Sequence, residues 1–173
     1  EKVIKMEPTN EQNHYKRFRI YLRQQKLKEA LADLNRAIDI KPDFENVVSQ
    51  RAKLNLRVGN CKQSEQDFLN LQKINPGNKD ISMIEQATNC KNAIDQAELF
   101  FSKSSWVQAR EHLNAAIRYA ENAPYLLYKR ALSSFHVGDT YEAIADTGRI
   151  LKTESDHLLA LELRGNCYYV LNE

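Results

Sequence analysis

The sequence predicts an all-α protein, built as a linear array of repeated antiparallel helix pairs. Three observations predict it. First, the 173 residues include only five glycines and four prolines, so the chain has few places to turn. Second, Ala, Leu, Lys, Glu, Gln and Asn dominate, and the apolar residues recur at helical rather than alternating spacing. Third, Pro8, Pro42 and Pro76 stand 34 residues apart, twice over, each closing a helix-compatible apolar pattern. Proline cannot continue a helix, so the chain turns on a fixed clock.

A period of 34 is that of the tetratricopeptide repeat (TPR). One helix pair of this size cannot bury its apolar face alone, so neighbours stack and share a continuous core. Each repeat can be numbered so that the proline takes position 32, and the elements then follow in order. Residues 1–10 read as the end of a preceding repeat. The repeat at 11–44 contains "LKEALADLNRAIDIKP", with Ala30, Leu34 and Ala37 at positions 20, 24 and 27. Small, large and small residues belong there because two helices cross closely. The repeat at 45–78 offers Ser64, Phe68 and Leu71 at those positions, and Arg51 and Ala52 at 7 and 8. Gly59 falls at position 15, where the turn between helices calls for it.

The third repeat spans 79–123 and begins with eleven extra residues, "KDISMIEQATN" at Lys79 to Asn89. Eleven residues are close to three α-helical turns, so the insertion lengthens the first helix without rotating its core face. One helix of about 30 Å is expected near 81–101, marking a boundary between sub-blocks. Trp106, Ala109, Leu113 and Ala116 then continue the pattern. The repeat at 124–157 supplies Ala131, Gly138, Ala143 and Ile150, but places Thr147 at the large position, followed by Gly148. Residues 158–173 read as the first helix of a further repeat, with Gly165 and Tyr168 in phase. Both ends fall inside helical hairpins, so a longer array is expected.

Catalysis is not expected. No phosphate-binding glycine loop, nucleophile elbow or HExxH occurs, and the carboxylates lie on polar helix faces. Cys61, Cys90 and Cys167 are widely spaced without a CxxC pair or a Cys/His cluster. No disulfide framework and no metal site are expected, and the cysteines read as small packing residues. His14, His112, His136 and His157 are single and read as surface or satisfied core residues. No cofactor is implied. The net charge of +2 from 25 basic and 23 acidic residues does not call for nucleic acid. No apolar run is long enough to insert in a membrane.

Binding remains. TPR first helices face a concave surface through positions 2, 5, 9, 12 and 13 of each repeat. In the first two repeats this lining is basic, with Arg19, Arg23, Lys53 and Arg57. In the later repeats it turns apolar: Ile94, Phe101, Tyr125, Tyr128, Leu132, Phe135, Leu159, Tyr169 and Val170. Apolar patches mark interaction sites, and rigid aromatics make good anchors. The two stretches motivate two readings: unfolded polypeptides on the apolar lining, or one folded partner on the basic face. The Lys/Asn/Arg clamp with which some TPR modules grip acidic chaperone tails is absent in every register.

"IKPDFENVVSQRAKLNLRVGN", followed by the long helix, and "EAIADTGRILKTESDHLLALELRGNCYYVLNE" resemble the TPR region of the P58-type protein-kinase inhibitors. These are J-domain co-chaperones of the endoplasmic reticulum. The resemblance implies an array that holds unfolded or misfolded clients, with a J domain outside these residues recruiting the lumenal chaperone BiP. It also implies a link to the unfolded-protein response and to eIF2α kinases, and a lumenal location, with a cytoplasmic TPR/J protein as the alternative. The family's cysteine pair is replaced here by Ala120 and Ser133, so that disulfide cannot form.

Overall fold

The computed structural model describes residues 10–172, and the expected end of a preceding repeat lies outside them except for Asn10. Nine α-helices are present among the described residues: α1 Glu11–Arg23, α2 Leu27–Ile40, α3 Glu45–Arg57, α4 Cys61–Ile74, α5 Ile84–Ser102, α6 Trp106–Ile117, α7 Pro124–His136, α8 Thr140–Thr153 and α9 Leu158–Leu171. The fold is all-α and of the tetratricopeptide type. The chain forms two compact units, 1–88 and 89–173, and the division falls within α5. The extension gives a 3-10 turn, Lys79–Met83, ahead of α5 rather than continuous α-helix from residue 81.

In the first unit α1 packs on α2, α2 on α3 and α3 on α4. In the second, α7 packs on α6 and α8, and α9 on α8 and α7. The crossing positions read from the sequence are all buried. Ala30, Leu34 and Ala37, then Ser64, Phe68 and Leu71, then Ala109, Leu113 and Ala116, then Ala143, Thr147 and Ile150 are each 0% exposed. Ser64 serves as a small residue while donating its hydroxyl to the Ala52 carbonyl of the opposite helix at 2.8 Å. Thr147, the departure from the large-residue rule, donates to the Ala143 carbonyl one turn back at 2.8 Å. Its buried hydroxyl is thereby satisfied, which is what makes a threonine tolerable in that core.

Position 15 is left-handed in all four helix pairs. Gly59 and Gly138 take φ of 87° and 84°, while Gln25 and Ser104 take 58° and 54°. The conformation recurs because the chain must reverse in three residues and return its amides to the end of the first helix. Lys26 N donates to Tyr21 O, Asn60 N to Asn55 O, Ser105 N to Phe100 O and Asp139 N to Ser134 O, all within 2.8–3.0 Å. A side chain in this region costs roughly 1 kcal/mol that glycine avoids. Ser104→Gly is therefore expected to stabilise by up to about 0.5 kcal/mol after glycine's own entropic cost. Gly138→Ala is expected to destabilise by about 1 kcal/mol through backbone strain alone, because an added Cβ there meets nothing within 4 Å. Denaturant melts of the two variants measure both.

The cysteine expectation is corrected. Cys61 and Cys90 are disulfide-bonded, and Cys167 is a free, buried thiol. Cys61 and Cys90 stand 29 positions apart in sequence, a spacing that carries no motif, so their disulfide-bonded state is decided by folding.

Candidate functional site

The face expected to bind in the second unit starts from α5, α7 and α9, whose apolar residues recur at positions that alternate between packing and exposure. Tyr128, Leu132 and Phe135 are half-buried, packed on the cluster of Ala131, Ala143, Leu163 and Cys167. Ile94 and Phe101 are also half-buried. Tyr125, Leu159, Tyr169 and Val170 reach solvent, at 40, 52, 67 and 48% exposure. The predicted set thus divides into residues that support the surface and residues that form it.

Ring contacts tie the supporting layer together. Phe101 meets Trp106 edge-on at 5.3 Å, Trp106 stacks on His136 at 4.2 Å, and His136 meets Phe135 at 6.1 Å. Such pairs add to area burial and fix the geometry of neighbouring anchors. Lys129 threads between α5 groups: its Nζ donates to Glu98 Oε1 at 2.5 Å and lies 5.1 Å from the Phe101 ring centre. Its ammonium is spent on Glu98 and Phe101, so the surface around Tyr125 stays apolar with little net charge.

Burial, and then the Glu98 carboxylate, push the Tyr125 phenol up to about 12. Burial and Glu162 likewise raise Tyr128. A raised folded pKa means the fold holds the neutral phenol. The stability this contributes is complete below the ordinary value of 10.0 and is lost as pH rises through about 12. Ultraviolet titration at the phenolate band is expected to show one tyrosine ionising at about 12, and Tyr125→Phe is expected to remove that step.

In the first unit, Arg19 and Arg23 are exposed on α1 beside Lys16 and Ile20, in one shallow depression. Arg57 is half-buried on α3. The Lys53 Nζ lies 2.7 Å from Asp80 Oδ2. Asp80 comes from the extension, and nothing in the sequence pattern pointed to it. Burial alone would raise its carboxyl. Hydrogen bonds from Lys53 and Ser49, with the charges of Lys53 and Lys79, outweigh that and hold it below 3.8. That contact contributes stability above the usual carboxylate range and loses it as pH falls.

Sequence reasoning also missed a ladder of buried ion pairs. Arg17 with Asp33, Arg51 with Asp67 and Arg130 with Asp146 each make a two-point contact from Nε and Nη2, at 2.5–2.9 Å. The free Nη1 of Arg51 and Arg130 reaches back to Asn35 and Asn114 of the preceding helix. The separation of sixteen residues, three times over, was the available signal. Arg164 holds the same register in α9, where its Nε is buried without a hydrogen-bond partner and its guanidinium lies over Tyr168. His112 takes the aspartate's place in the third pair and stacks on Phe100 at 5.4 Å.

No protein-family model matches the chain. It is 28% identical over 167 residues to DnaJ homolog subfamily C member 3 of Gallus gallus, covering 92% of this chain and 32% of that protein. It is 26% identical over 144 residues to the DnaJ protein P58IPK homolog B of Oryza sativa, covering 82% and 31%. A co-chaperone of Fusarium oxysporum with tetratricopeptide and J domains, DNJ1, is 28% identical over 149 residues, covering 86% and 28%. The crystal structure of the P58(IPK) TPR domain superposes with a TM-score of 0.84 at 27% identity, over 98% of this chain and 48% of that one. The chain resembles the P58-type TPR region. The resemblance takes in both units and the long helix Ile84–Ser102. The chain spans about a third of the length of the curated relatives it matches; one is a TPR- and J-domain co-chaperone by name, and the other two are named as DnaJ proteins.

Proposed function

We propose that this chain is the client-binding TPR module of a P58-type co-chaperone. Unfolded or misfolded segments dock on the apolar face of the second unit, and a J domain beyond these residues hands them to BiP. The observation that carries the reading is the exposed set Tyr125, Leu159, Tyr169 and Val170 held on a rigid aromatic layer. Exposed apolar area on a preformed scaffold suits sequence-tolerant binding of unfolded chains. The disulfide of Cys61 and Cys90 supports an oxidising compartment, as the endoplasmic reticulum lumen provides. A part in the unfolded-protein response, through eIF2α kinases, rests on the same relatives.

The test is suppression of aggregation of a chemically denatured protein, at low and high salt. Protection that survives high salt is expected, because apolar contacts are not screened. Combined Tyr125→Ala, Leu159→Ala and Tyr169→Ala is expected to reduce it several-fold, with the melting temperature read alongside because Tyr125 is only 40% exposed. Protection untouched by that triple change would remove the site. Protection abolished by salt, or lost in Arg19→Ala/Arg23→Ala, would favour a partner on the basic face instead.

A further inference from the structure

The extension returns a carboxylate to the first helix of the second pair. Glu45, Ser49 and Lys53 recur every four residues on α3 and so share one face. Residues 75–80 engage all three. Asn75 and Asn78 donate to Glu45 Oε1 at 2.9 and 2.6 Å. Ser49 donates its hydroxyl to Asp80 Oδ2 at 2.6 Å, and Lys53 Nζ lies 2.7 Å from that same oxygen. Asn78 Oδ1 accepts from the Asp80 amide at 2.8 Å and fixes the aspartate's direction. A hydroxyl from a residue only 3% exposed and an ammonium therefore converge on one carboxylate oxygen, a charge-assisted arrangement built for an anion.

The segment that delivers this anion is short and has no fully buried residue. Lys79–Met83 is a 3-10 turn, and such turns have poorer hydrogen-bond geometry than α-helix. Ile81 and Met83 are half-buried and the turn packs on α4, while its contacts to Ser49 and Lys53 of α3 are polar ones that water or another carboxylate can replace. We propose that Ser49 and Lys53 form a carboxylate-binding site on α3, and that Asp80 occupies it as an intramolecular ligand. Residues 75–83 then act as an autoinhibitory strap, which an acidic peptide segment displaces by supplying its own carboxylate to Ser49 and Lys53. This goes beyond client binding and is independent of it, since that reading concerns the second unit.

An internal ligand lowers the apparent affinity for an external one by the fraction of time the site stands open. The test uses fluorescein-labelled pentaglutamate and anisotropy at low salt. Asp80→Asn is expected to tighten binding by about tenfold or more over the wild type. Asp80→Asn/Lys53→Met is expected to return it to the wild-type level. Glu85→Gln removes an equal charge from an exposed neighbour and is expected to change nothing. No gain in Asp80→Asn, or a gain that Lys53→Met leaves intact or Glu85→Gln reproduces, would overturn the proposal. Hydrogen exchange on the wild type gives a second reading that needs no variant. Saturating pentaglutamate is expected to speed exchange of the amides at 79–83, and unchanged or slower exchange there would also overturn it.

Discussion

Arg130→Ala is expected to destabilise the second unit by about 3–5 kcal/mol, the largest loss from any single polar change. Asp146 is 1% exposed and receives the Nε and Nη2 protons of Arg130, both at 2.6 Å. Removing the guanidinium strands a buried carboxylate, because Arg149, the other cation near it, stands 3.7 Å away and is half-exposed. The loss is the desolvation penalty of the orphaned charge, not the net worth of the pair. Arg130→Met/Asp146→Leu is consequently expected to recover most of the stability, as apolar replacements of buried pairs often do. Urea denaturation of the two variants decides it. A double variant as unstable as Arg130→Ala would show that the pair itself, with its Asn114 contact, supplies the stability.

Phe68→Ala should cost a similar amount, about 3–5 kcal/mol, in the first unit. Phe68 is 0% exposed at the crossing of α3 and α4, with Leu71 at 0% one turn on. Truncation removes six ring carbons from water-free contact and leaves a cavity whose walls are two helices. Those walls cannot collapse without breaking the Ser64–Ala52 approach, held at 2.8 Å by a hydrogen bond. Phe68→Leu is expected to cost about 1 kcal/mol, because most of the volume is kept. Thermal melts read both, and because stability in stacked repeats is coupled to neighbours, the first-unit transition should shift while α7 to α9 hold theirs longer. A loss below about 1 kcal/mol for Phe68→Ala would mean that the crossing is not close-packed.

The repeat pattern carried much of this molecule into view before any coordinates. Alanine, leucine and their equivalents at the crossing positions are dictated by two helices approaching closely, so their spacing survives in one sequence. Gly59 and Gly138 announced the left-handed turn for the same local reason. Gln25 and Ser104 adopt it too, but no residue type marks them, since hydrogen bonding around the turn imposes the conformation. The helical period implied a longer first helix near 81–101, and residues 84–89 of the extension do lie in it. The extension's leading 3-10 turn was hidden, because Asn78 capping and the reach of Asp80 to α3 set it.

The candidate face was legible in part. Residue type identified its aromatic and aliphatic members, yet helical phase could not separate Tyr128 and Phe135, which support the core, from Tyr125 and Tyr169, which reach solvent. The lining positions gave a basic face in the first two repeats, Arg19, Arg23, Lys53 and Arg57. Those positions could not show that Lys53 is answered by an aspartate 27 residues later.

The sequence by itself determined the all-α class, the 34-residue period and the residues at each helix crossing, because these follow from local periodicity and side-chain size. Only the tertiary structure decided which charges pair and which cysteines bond. Those outcomes depend on distances between groups far apart along the chain: Arg130 with Asp146, Lys53 with Asp80, and the disulfide-bonded state of Cys61 and Cys90. No local preference encodes such distances; they exist once the helices have packed.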